Sequence, residues 1–246
     1  MSPAPTLAAL LAHAATALPG LNGRVGEAAA EALAAGGAAQ AWDALLEHWR
    51  GAHPEAGPLY WGSRAWTLAV WQPLYLVMIA VHEVGAVPRL AGLGQSVVDG
   101  FVGGFSLPAH APVVAGCEDA LIDAAAQEAS AACAALYQEL APRQKIHPKM
   151  AGRLQADCLL AALLYVAGRQ GWPRARVEAL AARWLAAMNL AGASGLMPVA
   201  VPGGERLALE RKVCCQHFRR ADGELCSTCP KLDRAERMQR LVEELA

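Results

Sequence analysis

The chain is poor in charge, in aromatic residues and in basic excess. Asp, Glu, Lys and Arg together make up 17% of its 246 residues, and the formal net charge is −1. A nucleic-acid partner needs a basic face, so that class is set aside. Aromatics reach only 6%, but hydrophobic residues reach 55%, which excludes global disorder and provides for a substantial core. No Lys or Arg precedes the apolar stretch Leu7–Leu18, because the first basic residue is Arg24. A secretory signal requires a positive n-region, so this stretch is expected to be a short helix. The most apolar run, Ala65–Val81, contains Gln72 and Pro73 and ends at His82-Glu83. It is shorter than the ~20 apolar residues that span a bilayer. A buried, proline-kinked helix is expected there, with a peripheral membrane contact left open.

Several catalytic signatures are missing too. Gly92-Leu93-Gly94 is followed by Val97 where a dinucleotide fingerprint needs its third glycine. His82-Glu83 lacks the second histidine of a zinc-protease motif, and Ser63 has no nucleophile context. Cysteine is present in an odd number, seven, and unevenly spread. A secreted disulfide framework would distribute even pairs, so the pattern points to an intracellular protein. Cys117, Cys133 and Cys158 stand singly in apolar surroundings and are expected to be buried structural thiols.

Alanine and leucine favour helix. The 3.6-residue period predicts helices over Arg24–Ala35, Gln40–Arg50, Arg64–Val84, Glu118–Leu140, Gly152–Ala167 and Arg176–Ala191, the last capped by Gly192. Ser96–Pro112 and Met197–Cys215 read as hairpins, the second as Met197–Val201, a Pro202-Gly203-Gly204 turn and Arg206–Cys214. The expected fold is mainly α with a small β component (α+β). A helical body over residues 1–210 would be followed by a cysteine-bearing segment over 211–246 with a terminal helix.

That last segment holds the specific signal. Cys214, Cys215, Cys226 and Cys229 form C-C-x10-C-x2-C. Four thiolates at this density select zinc, Cu(I) or an iron–sulfur centre. Adjacent cysteines diverge, which suits a wide [2Fe–2S] centre better than one tetrahedral zinc ion. Pro230 would start a helix with a stripe of Leu232, Ala235, Met238, Leu241, Val242 and Leu245. Cys229 would then sit at its N-cap, in the favourable field of the helix dipole. Arg211, Lys212, Arg219, Arg220 and Lys231 surround the motif and could either stabilise a reduced anionic centre or form a solvated face. His217 could replace one cysteine or donate to a sulfur from outside the ligand set.

The segment Arg211–Pro230 resembles the C-terminal signature of ferric siderophore reductases of the FhuF type, with no departure in cysteine spacing. Leu59-Tyr60-Trp61-Gly62-Ser63-Arg64 is similar to that family's N-terminal region, less specifically. The resemblance implies a [2Fe–2S] cluster held by Cys214, Cys215, Cys226 and Cys229. It also implies a cytoplasmic oxidoreductase that reduces Fe(III) in an imported siderophore, a hydroxamate being one candidate. Fe(III) is held by hard oxygen donors and Fe(II) only weakly, so one electron opens the chelate. Electrons would come from a separate donor protein or reductant. Two rival readings stay open: a structural zinc module, and an iron–sulfur shuttle or redox sensor without a siderophore pocket. Tyr60, Trp61, Trp66, Trp71 and Tyr75 are core or interface packing, or one wall of a substrate pocket. Arg143, Lys145, His147, Lys149 and Arg153 read as a solvated loop, or else as an electrostatic guide for an anionic partner.

Overall fold

The computed structural model describes residues 4–34, 36–37 and 39–246. Among the described residues helix takes up 54% and strand 13%, so the fold is mainly α with a small β component. The helices are α1 (Leu7–Ala17), α2 (Ala39–Ala52), α3 (Gly57–Ile79), α4 (Glu118–Leu140), α5 (Pro148–Gln170), α6 (Arg174–Ala187) and α7 (Arg234–Leu245). The strands are β1 (Gly23–Val25), β2 (Leu33–Ala34), β3 (Gly94–Val98), β4 (Phe101–Leu107), β5 (Leu196–Val201) and β6 (Gly204–Leu209). The first four strands form a sheet in the order β1-β4-β3-β2, with β1 parallel to β4. The last two form a separate hairpin.

Helix α3 is the centre of the body. It is buried along almost its whole length and touches α1, α2, α4 and α5. A helix that is apolar all round must be surrounded. By length and composition two helical stretches, Pro54–Val84 and Pro148–Gln170, could cross a membrane, but 78% of the first apolar window is buried inside the molecule. Pro73 lies inside α3 and cannot donate to the carbonyl of Ala69 one turn earlier. The side chain of Gln95, on β3, fills that gap: its Nε2 donates to Ala69 O at 2.9 Å. Gln72 is fully buried beside it and pairs its amide with the backbone of Gly104 on β4. Two polar side chains therefore join the sheet to the central helix. After Ile79 the helix continues as one π turn, Ala80–Val84. There His82 Nε2 accepts from Trp184 Nε1 at 3.0 Å, and its Nδ1 lies 3.0 Å from a carboxylate oxygen of Glu118.

The β3–β4 turn is Asp99-Gly100, both at positive φ, as a tight hairpin requires. The hairpin at β5–β6 also forms, but its second strand stops at Leu209, short of the cysteines. Three other expectations change. The stretch expected to be helical over Arg24–Ala35 contains β1 and β2 instead; Ala35 itself lies outside the described residues. Pairing with β4 and β3 overrides the helical bias of its alanines. Helix α6 ends at Ala187 with Met188 as its cap, and Asn189 takes the left-handed conformation expected nearer Gly192. Of the three solitary cysteines, Cys133 is buried and Cys158 partly so, but Cys117 is exposed just before α4.

Replacing Gln95 by Leu keeps the volume but strands the Ala69 carbonyl. Chemical denaturation should show a loss of about 1–3 kcal/mol, and no loss would mean that the Pro73 gap is filled some other way.

Candidate metal centre

The cysteine segment is anchored to the helical body before its first cysteine. Just past the end of β6, the N–H of Glu210 donates to Gly195 O at 2.8 Å. Arg211 then turns inward. Its Nε donates to Asp157 Oδ2 on α5 at 2.8 Å, and the other oxygen of Asp157 accepts from Ser194 Oγ at 2.6 Å. The ion pair is nearly closed to solvent, with side-chain exposures of 12% and 6%. Burial opposes the Arg211 charge, but Asp157 and the sulfurs of Cys215 and Cys226 outweigh it and hold the guanidinium firmly protonated. Further anchors follow. Arg153 donates to Lys212 O at 3.0 Å, Ser63 Oγ to Cys215 O at 2.7 Å, and Arg219 Nε to Ala56 O at 2.7 Å.

These anchors bring the four motif cysteines together. Cys214 and Cys229 are buried, with their sulfurs 3.7 Å apart, and pack with Leu232. Cys215 interacts through its sulfur with Cys214 and with Cys226. The four thus form a linked series, Cys229, Cys214, Cys215 and Cys226. Among the described residues, no three Cys, His, Asp or Glu side chains close around a single metal-ion position.

The polar surroundings favour sulfur anions. Gln216, at positive φ, directs its N–H to Cys214 Sγ at 3.4 Å. The backbone of His217 hydrogen-bonds Cys215. Arg211 Nη1 reaches Cys226 Sγ at 3.6 Å, and Thr228 Oγ1 lies 3.7 Å from the same atom. Without a metal the charge concentrates on Cys215. Hydrogen bonds from the Cys214 and Cys226 thiols, helped by Arg211, pull it well below the ordinary thiol range. The Cys214 and Cys226 thiols are pushed up by those same hydrogen bonds, and by burial. Loading a thiolate-ligated group must therefore release their protons. The donor set, the N–H···S bonds and the adjacent guanidinium all suit an anionic iron–sulfur group.

Several expected roles shift. Helix α7 starts at Arg234, capped by the Asp233 carboxylate, which accepts from the Glu236 N–H at 2.9 Å. Asp233 and Glu236 form the capping pattern that the sequence shows four residues beyond Cys229. Cys229 therefore receives nothing from the helix dipole and instead closes a tight turn, donating its N–H to Cys226 O at 2.9 Å. Of the five surrounding cations, only Arg211 bonds a sulfur. Lys212 and Arg219 serve carbonyls, Arg220 pairs with Asp222, and Lys231 lies over the Phe218 ring. The His217 ring faces Tyr60 and Arg220, and its contribution to the sulfurs is through the backbone. Asp157 and Ser194, which hold the segment in place, carried no signal beyond being polar residues in apolar stretches, and Ser63 stood in the Leu59–Arg64 segment with nothing to mark it as an anchor.

The aromatic series divides. Tyr60 and Trp66 are fully buried, whereas Trp71 and Tyr75 line a groove. In the basic stretch, Arg143 pairs with Glu139, His147 caps α5, and Arg153 braces Lys212.

A centre held by these four sulfurs predicts that Cys226→Ser loses its iron and acid-labile sulfide, or takes on an altered visible spectrum. An unchanged spectrum at full metal content would remove Cys226 from the ligand set. Arg211→Lys should lower the midpoint potential in a redox titration, because the bond to Cys226 is lost.

No solved structure matches the chain. Residues 211–231 match the family model of the FhuF 2Fe-2S C-terminal domain, and the four motif cysteines fall inside the match. The match is consistent with an FhuF-type siderophore reductase, and the cofactor is a [2Fe–2S] cluster.

Proposed function

We propose that this protein is a cytoplasmic ferric siderophore reductase whose cluster is held by Cys214, Cys215, Cys226 and Cys229. The supporting observation is the gathering of these four sulfurs beside a buried, permanently charged Arg211. A [2Fe–2S] cluster supplies one electron at a time.

The residues of the chain have limited tasks. The four cysteines bind. Arg211, Thr228 and the Gln216 N–H offset negative charge on the sulfurs, which favours accepting an electron from a donor. Leu232, Phe218 and Leu225 cover one side and limit water access. Ser63 and Asp157 keep the segment against α3 and α5. No general acid or base is required: Fe(III) gains one electron and becomes Fe(II), and no proton need move at the protein. The oxygen donors of the chelate then hold the softer, less charged ion weakly, and it is released. A separate donor protein or reductant must return the electron. A reducing cytoplasm suits this cycle, because it keeps unloaded thiols available for assembly.

Dithionite-reduced protein, mixed anaerobically with a ferric trihydroxamate, should be reoxidised in stopped flow with stoichiometric formation of trapped Fe(II). A reduced protein that keeps its iron–sulfur EPR signal in the presence of the chelate would end the reductase reading.

A further inference from the structure

Beside the cysteine segment, α3 and α5 form the walls of an open groove of about 510 Å³, within the range of small-molecule sites. Phe101, Trp71, Tyr75 and Tyr165 follow one another along it, with ring centroids 6.0, 6.1 and 6.0 Å apart. Phe101, at the tip of the β3–β4 hairpin, is 49% exposed.

Two pairs of consecutive residues join the groove to the cysteine site. On α3, Ser63 bonds the Cys215 carbonyl and Arg64 lines the groove. On α5, Asp157 holds the Arg211 that reaches Cys226, and Cys158 lines the groove. Neighbouring residues on a helix rise only about 1.5 Å, so both helices present groove and sulfur site within one turn.

Arg64 is the informative side chain. Its guanidinium rests over the Trp49 ring at 4.6 Å. Among the described residues its Nε is buried without a hydrogen-bond partner, and no carboxylate neighbours it. A buried donor left unsatisfied on a cation calls for a partner, and none of the described side chains supplies one to Arg64 Nε. Cys158 offers no anionic competitor, because burial pushes its thiol up to about 12. A larger cavity of about 800 Å³ lies behind Tyr75 and Tyr165; of its two cations Arg174 is already paired with Glu178 and Glu205, and Arg206 shares the lining with the Glu205 carboxylate.

We infer that this groove is the seat of the metal chelate, with the aromatic row against its apolar backbone and Arg64 donating to its metal-bound oxygens. One unpaired cation in an aromatic groove suits a chelate of low net charge. A strongly anionic tris-catecholate would bury charge that a single guanidinium cannot balance. This inference rests on the reductase reading for its choice of ligand.

The test uses redox-inert gallium(III), so that binding is read without electron transfer. The oxidised full-length holoprotein is titrated calorimetrically with a gallium trihydroxamate and with a gallium tris-catecholate. The trihydroxamate should bind saturably and the tris-catecholate at least tenfold more weakly. Arg64→Met should weaken trihydroxamate binding about tenfold, the loss of one charge-assisted hydrogen bond, with the visible cluster spectrum unchanged. Arg64→Lys should recover part of it. Should Arg64→Met load its cluster poorly, Phe101→Ala, on the exposed hairpin, gives the same reading through several-fold weaker binding. Absence of saturable binding, wild-type affinity in both Arg64→Met and Phe101→Ala, or equal affinity for the two chelates would overturn the inference. Gallium binding without reduction of the ferric counterpart would remove the reductase reading and leave the groove as a chelate site. Reduction with unchanged gallium binding in the variants would do the reverse.

Discussion

The buried ion pair between Asp157 and Arg211 governs the functional end of this molecule. It joins α5, deep in the helical body, to the residue from which the cysteine segment departs. Because both partners are largely shut off from water, neither can be lost cheaply: an orphaned buried charge costs about 3–5 kcal/mol. Ser194 satisfies the second carboxylate oxygen, and the free arm of the guanidinium reaches Cys226. One interaction thus orients the segment, supplies positive charge at a sulfur and sets the depth of the site.

The central helix gives that anchor a rigid support. Pro73 interrupts the hydrogen-bond ladder of α3, and Gln95 repairs it from the sheet. The repair fixes β3 and β4 against the helix, and the hairpin tip carries Phe101 to the groove. A residue whose first effect is local, Pro73, therefore bears on the position of an aromatic ring beside Trp71. The same helix contributes Ser63 to the cysteine site, so one backbone element serves both ends of the proposed electron path. Outer-sphere transfer asks for closeness, a matched potential and a defined seat, and none of these requires a reactive side chain.

The cysteine motif was readable because its chemistry is local. Four sulfurs within a short stretch are visible as a ligand set before their distant anchors are known, and soft thiolates limit the choice of metal. The long helices were equally legible: α4 spans Glu118–Leu140 as its pattern indicates, because alanine-rich periodicity and the following Pro142 act at short range. Elsewhere local bias misled. The alanines of residues 24–34 favour helix, but pairing with β4 and β3 is a long-range gain that propensity cannot register. Pro230 looked like a helix start, whereas the Asp233 carboxylate, satisfying an amide of the first turn, sets the start later.

Amino-acid order by itself determined the helical class, the hairpins and the cysteine spacing that carries the iron–sulfur chemistry, since each depends on neighbours along the chain. Tertiary structure alone decided which cation meets a sulfur, which carboxylate holds it and which aromatics line a groove. Those outcomes depend on burial: Arg211 was one of five similar cations until Asp157 gave it a partner out of water, and Arg64 one basic residue among many until folding buried its Nε with no hydrogen-bond partner among the described residues.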